Sequence, residues 1–146
     1  MSHIQIKSLK KSFGIVDAVK NINFDIDNGQ FVVLVGPSGC GKTTTLRMLA
    51  GFEDPTDGEI LIGENVVNDI EPGKRGIGMV FQNHALFPNK TVEDNIKFGL
   101  RMKRVSANEM EQKVAEVSEL VQIGHLLKKM PFQCSGGESQ SCLLYT

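Results

Sequence analysis

Residues 36–43 contain the feature that most narrowly limits how this chain can fold. They read Gly-Pro-Ser-Gly-Cys-Gly-Lys-Thr, a complete match to the pattern G-x-x-x-x-G-K-[ST]. Residues 30–35 before the loop are mostly apolar, which predicts a strand covered on both faces. After the loop, Leu46, Leu49 and Ala50 predict the inward side of a helix that ends at Gly51. Strand, glycine-rich loop and helix together predict an α/β fold.

The residue types in this loop suit the binding of a polyphosphate. Glycines at 36, 39 and 41 let the backbone curl tightly and approach a ligand without side chains in the way. The amides of residues 39–44 can then point at phosphate oxygens, at the positive end of the following helix. Lys42 would reach the β- and γ-phosphates, and the Thr43 hydroxyl would ligate Mg²⁺. The predicted ATP-binding residues of the loop are Gly36, Pro37, Ser38, Gly39, Cys40, Gly41, Lys42, Thr43 and Thr44.

The alternative is an ordinary glycine turn before a helix, with Lys42 as a solvated surface charge. The glycine spacing excludes a dinucleotide fingerprint of the G-x-G-x-x-G type. The order of strand, loop and helix favours the polyphosphate interpretation.

Composition excludes several other classes of protein. The 146 residues contain 16 Lys and Arg against 17 Asp and Glu, a balance that gives no overall positive charge to predict a nucleic-acid partner. No apolar run approaches the roughly 18–20 residues needed to span a bilayer, and the N-terminus lacks the apolar stretch of a signal peptide. Three cysteines without a C-x-x-C pair predict neither a disulfide framework nor a zinc site. We expect a cytosolic chain that reaches a membrane only through a partner protein.

The chain changes character near residue 90. Before it, strands are predicted by the alternation of apolar and polar residues at 3–7 and 21–27 and by the runs 58–62 and 77–82. Asn28-Gly29 predicts a hairpin turn. After it, Thr91 with Asp94 and Ser106 with Glu109 predict two helix N-caps. Apolar positions at helical spacing follow each cap, and Gly124 is the predicted C-cap of the second helix.

Three segments resemble the nucleotide-binding subunits of ATP-binding-cassette (ABC) transporters, in particular importer ATPases. They are residues 31–43, residues 46–53 (LRMLAGFE) and residues 77–88 (IGMVFQNHALFP), and the match runs from residue 1 to about 140. The resemblance implies an incomplete P-loop NTPase core with a β-rich N-terminal part and a small α-helical subdomain. It divides the chain into residues 1–83 (catalytic core with antiparallel strands), 84–134 (helical subdomain) and 135–140 (ABC signature). Residues 141–146 would be a non-native or out-of-frame tail.

The resemblance also implies roles for residues outside the loop. Gln82 matches the Q-loop glutamine, whose side chain reaches Mg²⁺ and the attacking water in the family. The implied catalytic residues are therefore Lys42 and Gln82. The implied Mg²⁺ ligands are Thr43 and Gln82. Phe13 matches the aromatic residue that stacks on adenine; the alternative is a core phenylalanine. Ser135, Gly136 and Gly137 match the signature that contacts ATP held by the opposite subunit, with Glu138 in place of the usual Gln.

Function and partners follow from the same resemblance. The chain resembles the ATP-binding subunits of maltose/sugar, glycerol-3-phosphate, polyamine and ferric-iron importers, which couple ATP hydrolysis to solute uptake. Its partners would be a second ATPase subunit arranged head to tail, membrane permease subunits and, indirectly, a periplasmic or extracellular solute-binding protein. It would lie at the cytoplasmic face of the inner membrane. A groove lined by His84, Phe87 and Pro88 would receive the permease, unless Phe87 simply packs under the helix 92–100.

One family element has no counterpart here. No apolar run followed by Asp-Glu, the pair that steadies Mg²⁺ and polarises the water, occurs in the 146 residues, and no switch histidine is identified. We therefore expect weak ATP binding at best and negligible hydrolysis. The alternatives are a soluble ABC ATPase of DNA repair or translation, which predicts a basic face or long insertions, and a non-catalytic nucleotide-binding regulator.

Overall fold

The computed structural model describes residues 3–81 and 86–143. The chain divides into two compact units, one up to Met79 and one from Val80 onward. The predicted domain limits at 83, 134 and 140 stay predictions. Among the described residues, no helix is both long enough and apolar enough to cross a membrane.

The first unit is built on an antiparallel sheet. Strands β1 (Ile4–Phe13), β2 (Val16–Ile26), β3 (Asp57–Ile62) and the short β4 (Asn65–Val66) lie in the order β2-β1-β3-β4. β1 and β2 form a hairpin in which Phe13 pairs with Val16. The sequence therefore predicted strands correctly at 3–7 (β1), 21–27 (β2) and 58–62 (β3). It did not predict β4.

One helix packs on this sheet. Helix α1 (Lys42–Ala50) follows the glycine-rich loop, and Gly51 ends it with a left-handed backbone at φ 81°. Its side chain Met48 joins the buried apolar cluster, whose other members are Ile6, Leu9, Val19, Ile60 and Val67. The helix and its stop match the sequence prediction. Of the residues predicted to face inward, Ala50 is buried and Leu49 packs against the cluster, but 46% of Leu46 is exposed. Thr45 and Met48 are buried and were not predicted to be.

Two predicted strands are wrong. Residues 30–37 and the described part of the second segment, residues 77–81, have no strand pairing. Phe31 and Val35 are 91% and 89% exposed, so the segment before the loop is not covered on both faces. An apolar strand of this kind is held by backbone hydrogen bonds to parallel neighbours, and the described part of this chain supplies none beside it. Asn28-Gly29 accordingly forms a turn but not a hairpin.

The second unit is helical. It contains α2 (Val92–Met102), α3 (Ala107–Leu120) and α4 (Gly136–Leu143), with short 3₁₀ turns at Gly124–Leu126 and Pro131–Gln133. Thr91 and Ser106 accept hydrogen bonds from the amides of Asp94 and Glu109, as the two predicted N-caps require. The core of this unit consists of Leu86, Val92, Ile96, Val114, Ile123, Leu126 and Cys142.

The second of these helices ends earlier than predicted. Val121 is the C-cap of α3, Gln122 has a left-handed backbone (φ 57°), and Gly124 instead begins a 3₁₀ turn. The amide of Ile123 donates to the carbonyl of Ser118 and closes the helix end. This closure buries Ile123 and Leu126, so core packing decided the end of the helix.

Candidate functional site

The glycine-rich loop forms an irregular turn that leads directly into α1. Gly39 and Gly41 both have left-handed backbones, at φ 79° and 92°. A Cβ atom at Gly41 would lie 2.4 Å from the carbonyl oxygen of Ala18 on β2, so only glycine fits here. The loop is therefore held against the sheet at Gly41, directly before the first turn of α1, whose amides have no partner within the helix.

Lys42 turns back over the loop that precedes it. Its ammonium donates hydrogen bonds to the carbonyl oxygens of Gly36 (2.7 Å) and Pro37 (2.8 Å), and its nitrogen lies 3.5 Å from the Cys40 sulfur. The amide of Cys40 donates to the Pro37 carbonyl and tightens the same turn. These contacts place the positive charge inside the curl of the loop, where an anion bound by the surrounding amides would meet it.

A large open cavity borders the inner side of the loop. It has a volume of about 840 Å³ and lies between loop residues 39–42, the β2 residues 17–24 and the segment 33–35. Lys42 lines it together with Asp17 and Lys20, while Val33, Leu34 and Val35 supply an apolar wall. Its volume is in the range of ligand sites in proteins. Phe13 is not among its lining residues.

The loop side chains fit the predicted nucleotide and metal in their chemistry. Ser38 and Thr43 are exposed, so their hydroxyls are accessible from solvent. Hydroxyl oxygen is a hard ligand of the kind that Mg²⁺ prefers. Thr45, by contrast, donates to the Gly41 carbonyl (2.9 Å) and is buried, so it serves the helix start. Gln82, the other predicted metal ligand, lies outside the described residues. The described residues contain no cluster of His, Cys, Asp and Glu arranged to hold a metal.

Phe13 is a half-exposed ring at the end of β1. It is 50% exposed, which argues against the alternative of a core phenylalanine. The ammonium of Lys11 lies 4.9 Å from the ring centroid, a cation–π distance. Lys11 is itself fixed by Glu53 (2.6 Å) and by the Asp54 carbonyl (2.7 Å). Sequence reasoning missed this lysine, since nothing in the pattern sets it apart from its neighbour Lys10.

The residues of the predicted signature form the start of α4. Ser135 and Glu138 make a reciprocal cap: the Ser135 amide donates to a Glu138 carboxylate oxygen (2.6 Å), and the Glu138 amide donates to the Ser135 hydroxyl oxygen (3.3 Å). The bond from the Ser135 amide is the main reason that the pKa of Glu138 lies below its ordinary value. Gly136 and Gly137 are exposed beside it. A carboxylate thus engages the Ser135 amide, one of the donors predicted to receive a phosphate.

The predicted docking groove is described only in part. His84 lies outside the described residues. Phe87 packs against Phe98 of α2 with ring centroids 4.7 Å apart, and the ammonium of Lys90 lies over both rings. Phe87 keeps 38% of its surface exposed, so it contacts the helix and remains accessible to a partner.

A family model described as ABC transporter matches residues 19–145 of this chain. The chain belongs to the ABC transporter family. The match confirms the family resemblance that the sequence segments indicated.

Relatives of this ABC family chain include several maltose/maltodextrin import ATP-binding proteins, named MalK. The protein from Mannheimia succiniciproducens is 52% identical over 140 residues, and those from Yersinia pestis bv. Antiqua and Salmonella typhimurium are 49% and 48% identical. Each alignment covers 96% of this chain and 38% of the relative. The ABC chain described here therefore spans well under half the length of the relatives that it matches.

Solved ABC structures share the fold. A dimeric ATP-binding cassette in a post-hydrolysis state, bound to ADP and Pi, superposes with a TM-score of 0.87 at 29% identity. The similarity covers 97% of this chain and 67% of that one. A second solved structure of the same cassette, described as a dimeric bacterial ABC transporter cassette, gives a TM-score of 0.86, also at 29% identity. These neighbours confirm the predicted fold class, an incomplete ABC ATPase core.

Proposed function

We propose that this ABC chain is the ATP-binding part of an importer ATPase subunit, which couples ATP binding and hydrolysis to solute uptake across a membrane. The observation that carries the proposal is the loop 36–43: two left-handed glycines shape it, and the Lys42 ammonium lies within its curl at the start of α1. That combination of amides, helix terminus and fixed cation is suited to a polyphosphate.

Each loop group has a distinct task in binding. The amides of residues 39–44 would donate to phosphate oxygens, and Lys42 would exchange its two carbonyl contacts for the more negative β- and γ-phosphate oxygens. The Thr43 hydroxyl and Gln82 would hold Mg²⁺, which would supply positive charge to offset the negative charge of the phosphates. The exposed ring of Phe13 would stack on the base, an interaction that reads little base identity.

The partners belong to the same proposal. A second copy of this subunit would supply residues 135–137 to the bound ATP from the opposite side, and permease subunits would hold the pair at the cytoplasmic face of the membrane. Relatives named as maltose/maltodextrin import proteins support a sugar importer over the other importer classes. A periplasmic or extracellular solute-binding protein would deliver the solute to the permease.

Nucleotide binding by the 146-residue chain tests the proposal directly. We expect calorimetry to detect MgATP binding that Lys42→Ala weakens about tenfold or more, since a charge-assisted bond contributes about 1.5–3 kcal/mol. Lys74→Ala is the matched control, because Lys74 is an exposed lysine that, among the described residues, forms an ion pair with Glu71 (2.9 Å). Equal affinity of the wild-type and Lys42→Ala chains, or no binding at all, would contradict the proposal. Steady ATP turnover above that of Lys42→Ala would contradict the expectation of negligible hydrolysis.

A further inference from the structure

Arg75 is a buried arginine whose hydrogen bonds within the described part of the chain end on backbone carbonyls. Only 5% of the residue is exposed. One terminal nitrogen of its guanidinium donates to the carbonyls of Met48 (2.8 Å) and Leu49 (3.0 Å) in the last turn of α1. The other terminal nitrogen and Nε donate to the carbonyls of Asn68 (2.9 Å) and Ile70 (2.7 Å). One side chain thus joins the end of α1 to the segment 68–75.

The end of α1 is shaped to receive this guanidinium. A Cβ atom at Gly51 would lie 2.7 Å from the Arg75 Nε, so the glycine leaves the space that Arg75 occupies. The amides of Gly51 and Phe52 donate to the carbonyls of Met48 and Arg47 and complete the cap. The guanidinium adds a second bond to the Met48 carbonyl and also bonds the Leu49 carbonyl, one of those that a helix terminus leaves without a partner in the helix.

We infer that Arg75 is a positioning residue for the phosphate loop, acting through α1; the inference rests on the proposed function. The loop is continuous with the first turn of α1, and Arg75 fixes the last turn. A helix of nine residues is only about 13 Å long, so its hydrogen-bonded backbone transmits the position of one end to the other. Arg75 thereby sets where the loop amides point.

Charge adds to the geometry at the end of α1. The C-terminal end of a helix carries a partial negative charge, whose effect falls off within the last turn. A guanidinium there compensates this charge and so strengthens the hold of Arg75 on the last turn of α1. Lysine in place of Arg75 would keep the positive charge but lose the planar fork, while methionine would lose both.

Calorimetry of MgATP binding to wild-type, Arg75→Lys and Arg75→Met chains tests the inference, at a temperature where circular dichroism shows each variant folded. We expect Arg75→Met to weaken binding at least about fivefold, and Arg75→Lys to recover part of the loss. Arg101→Met is the matched control, because Arg101 is an exposed arginine of α2 bonded to Asp94 (3.0 Å), and it should leave affinity unchanged. Unchanged affinity in folded Arg75→Met would overturn the inference and leave the proposed function intact.

A measurement on the wild-type chain decides the matter if the variants do not fold. Thermodynamic linkage is reciprocal: if the Arg75 contacts strengthen ATP binding by some factor, bound ATP must stabilise those contacts by the same factor. Solvent exchange of the Arg75 Nε–H, followed by nuclear magnetic resonance, should therefore slow at least about fivefold at saturating MgATP. Exchange that does not respond to bound ATP would overturn the inference alone. A wild-type chain that binds no MgATP would overturn the proposed function and the inference with it.

Discussion

At the scale of single residues, buried polar side chains hold this molecule's irregular segments in place. Arg75 fixes the end of α1 and the segment 68–75. Asn95 does the same in the helical unit: it is fully buried, accepts from the Phe87 amide (2.7 Å) and donates to the carbonyls of Lys90 and Thr91. Loops without regular structure still need partners for their backbone groups, and these two side chains supply them.

Replacing Asn95 by alanine should destabilise the helical unit by about 2–3 kcal/mol, because it leaves buried backbone groups without partners. Urea unfolding followed by circular dichroism measures the loss. Asn108→Ala is the control, since Asn108 is an exposed asparagine of α3 and its removal should change stability by less than about 0.5 kcal/mol. Equal effects of the two substitutions would refute the role of Asn95.

At the scale of elements, N-caps and ion pairs fix where the helices begin. The first turn of α2 contains Glu93, whose carboxylate contacts Lys97 (2.5 Å) on the same helix and Lys128 (2.6 Å) in the segment after the 3₁₀ turn. Hydrogen bonds from Lys128 and then Lys97 hold the pKa of Glu93 below its ordinary value of 4.5. The amides of Val92 and Glu93 also bond that segment, at the carbonyls of Lys129 and Leu127.

The Glu93 contacts should make stability depend on pH in the acid range. Because the pKa of Glu93 is lower in the folded state, its ionised carboxylate raises the free energy of unfolding above pH 4.5. This contribution is lost as the pH falls through the lowered pKa. Glu93→Gln should therefore be less stable than wild type near neutral pH, and the difference should shrink below pH 4.5. Urea midpoints measured across this range test the expectation. Glu111→Gln, at an exposed position of α3, controls for the loss of one charge. A wild-type advantage that persists unchanged into strong acid would count against it.

At the scale of the whole molecule, apolar surface remains open in the first unit. Phe31, Val33 and Val35 are each more than half exposed in one stretch of irregular chain. Contiguous exposed apolar surface of this kind promotes association, because burying it against another chain removes it from water. Low solubility of the 146-residue chain is the expected consequence.

Phe31→Glu should raise the solubility of the chain, since it replaces the largest apolar side chain of this stretch by a charge. Static light scattering over a concentration series, together with the saturation concentration, measures the effect. Ile15→Glu is the matched control: Ile15 is fully exposed but lies in the turn between β1 and β2, away from the stretch. Similar gains from both substitutions would mean that added charge, and not the 31–35 stretch, governs solubility.

Local signals in the sequence were enough where an element is stabilised by its own residues. The caps at Thr91 and Ser106, the stop at Gly51 and the order of loop and helix at 36–50 follow from hydrogen bonds within a few residues. The strand predictions for 30–35 and 77–82 failed for the converse reason: such strands need partners distant in sequence, which the pattern of the segment itself does not specify.

The sequence alone determined the family, the glycine-rich loop followed by a helix and the change from a strand-rich to a helical part, because these rest on residue types at fixed spacing. Only the tertiary structure decided that Arg75 closes the end of α1, that Glu138 engages the Ser135 amide and that Ile123 and Leu126 end α3. A buried guanidinium bonded to four carbonyls depends on chain segments more than 20 residues apart. No local pattern encodes such a contact, since its free energy comes from desolvation and geometry that exist only once the segments meet.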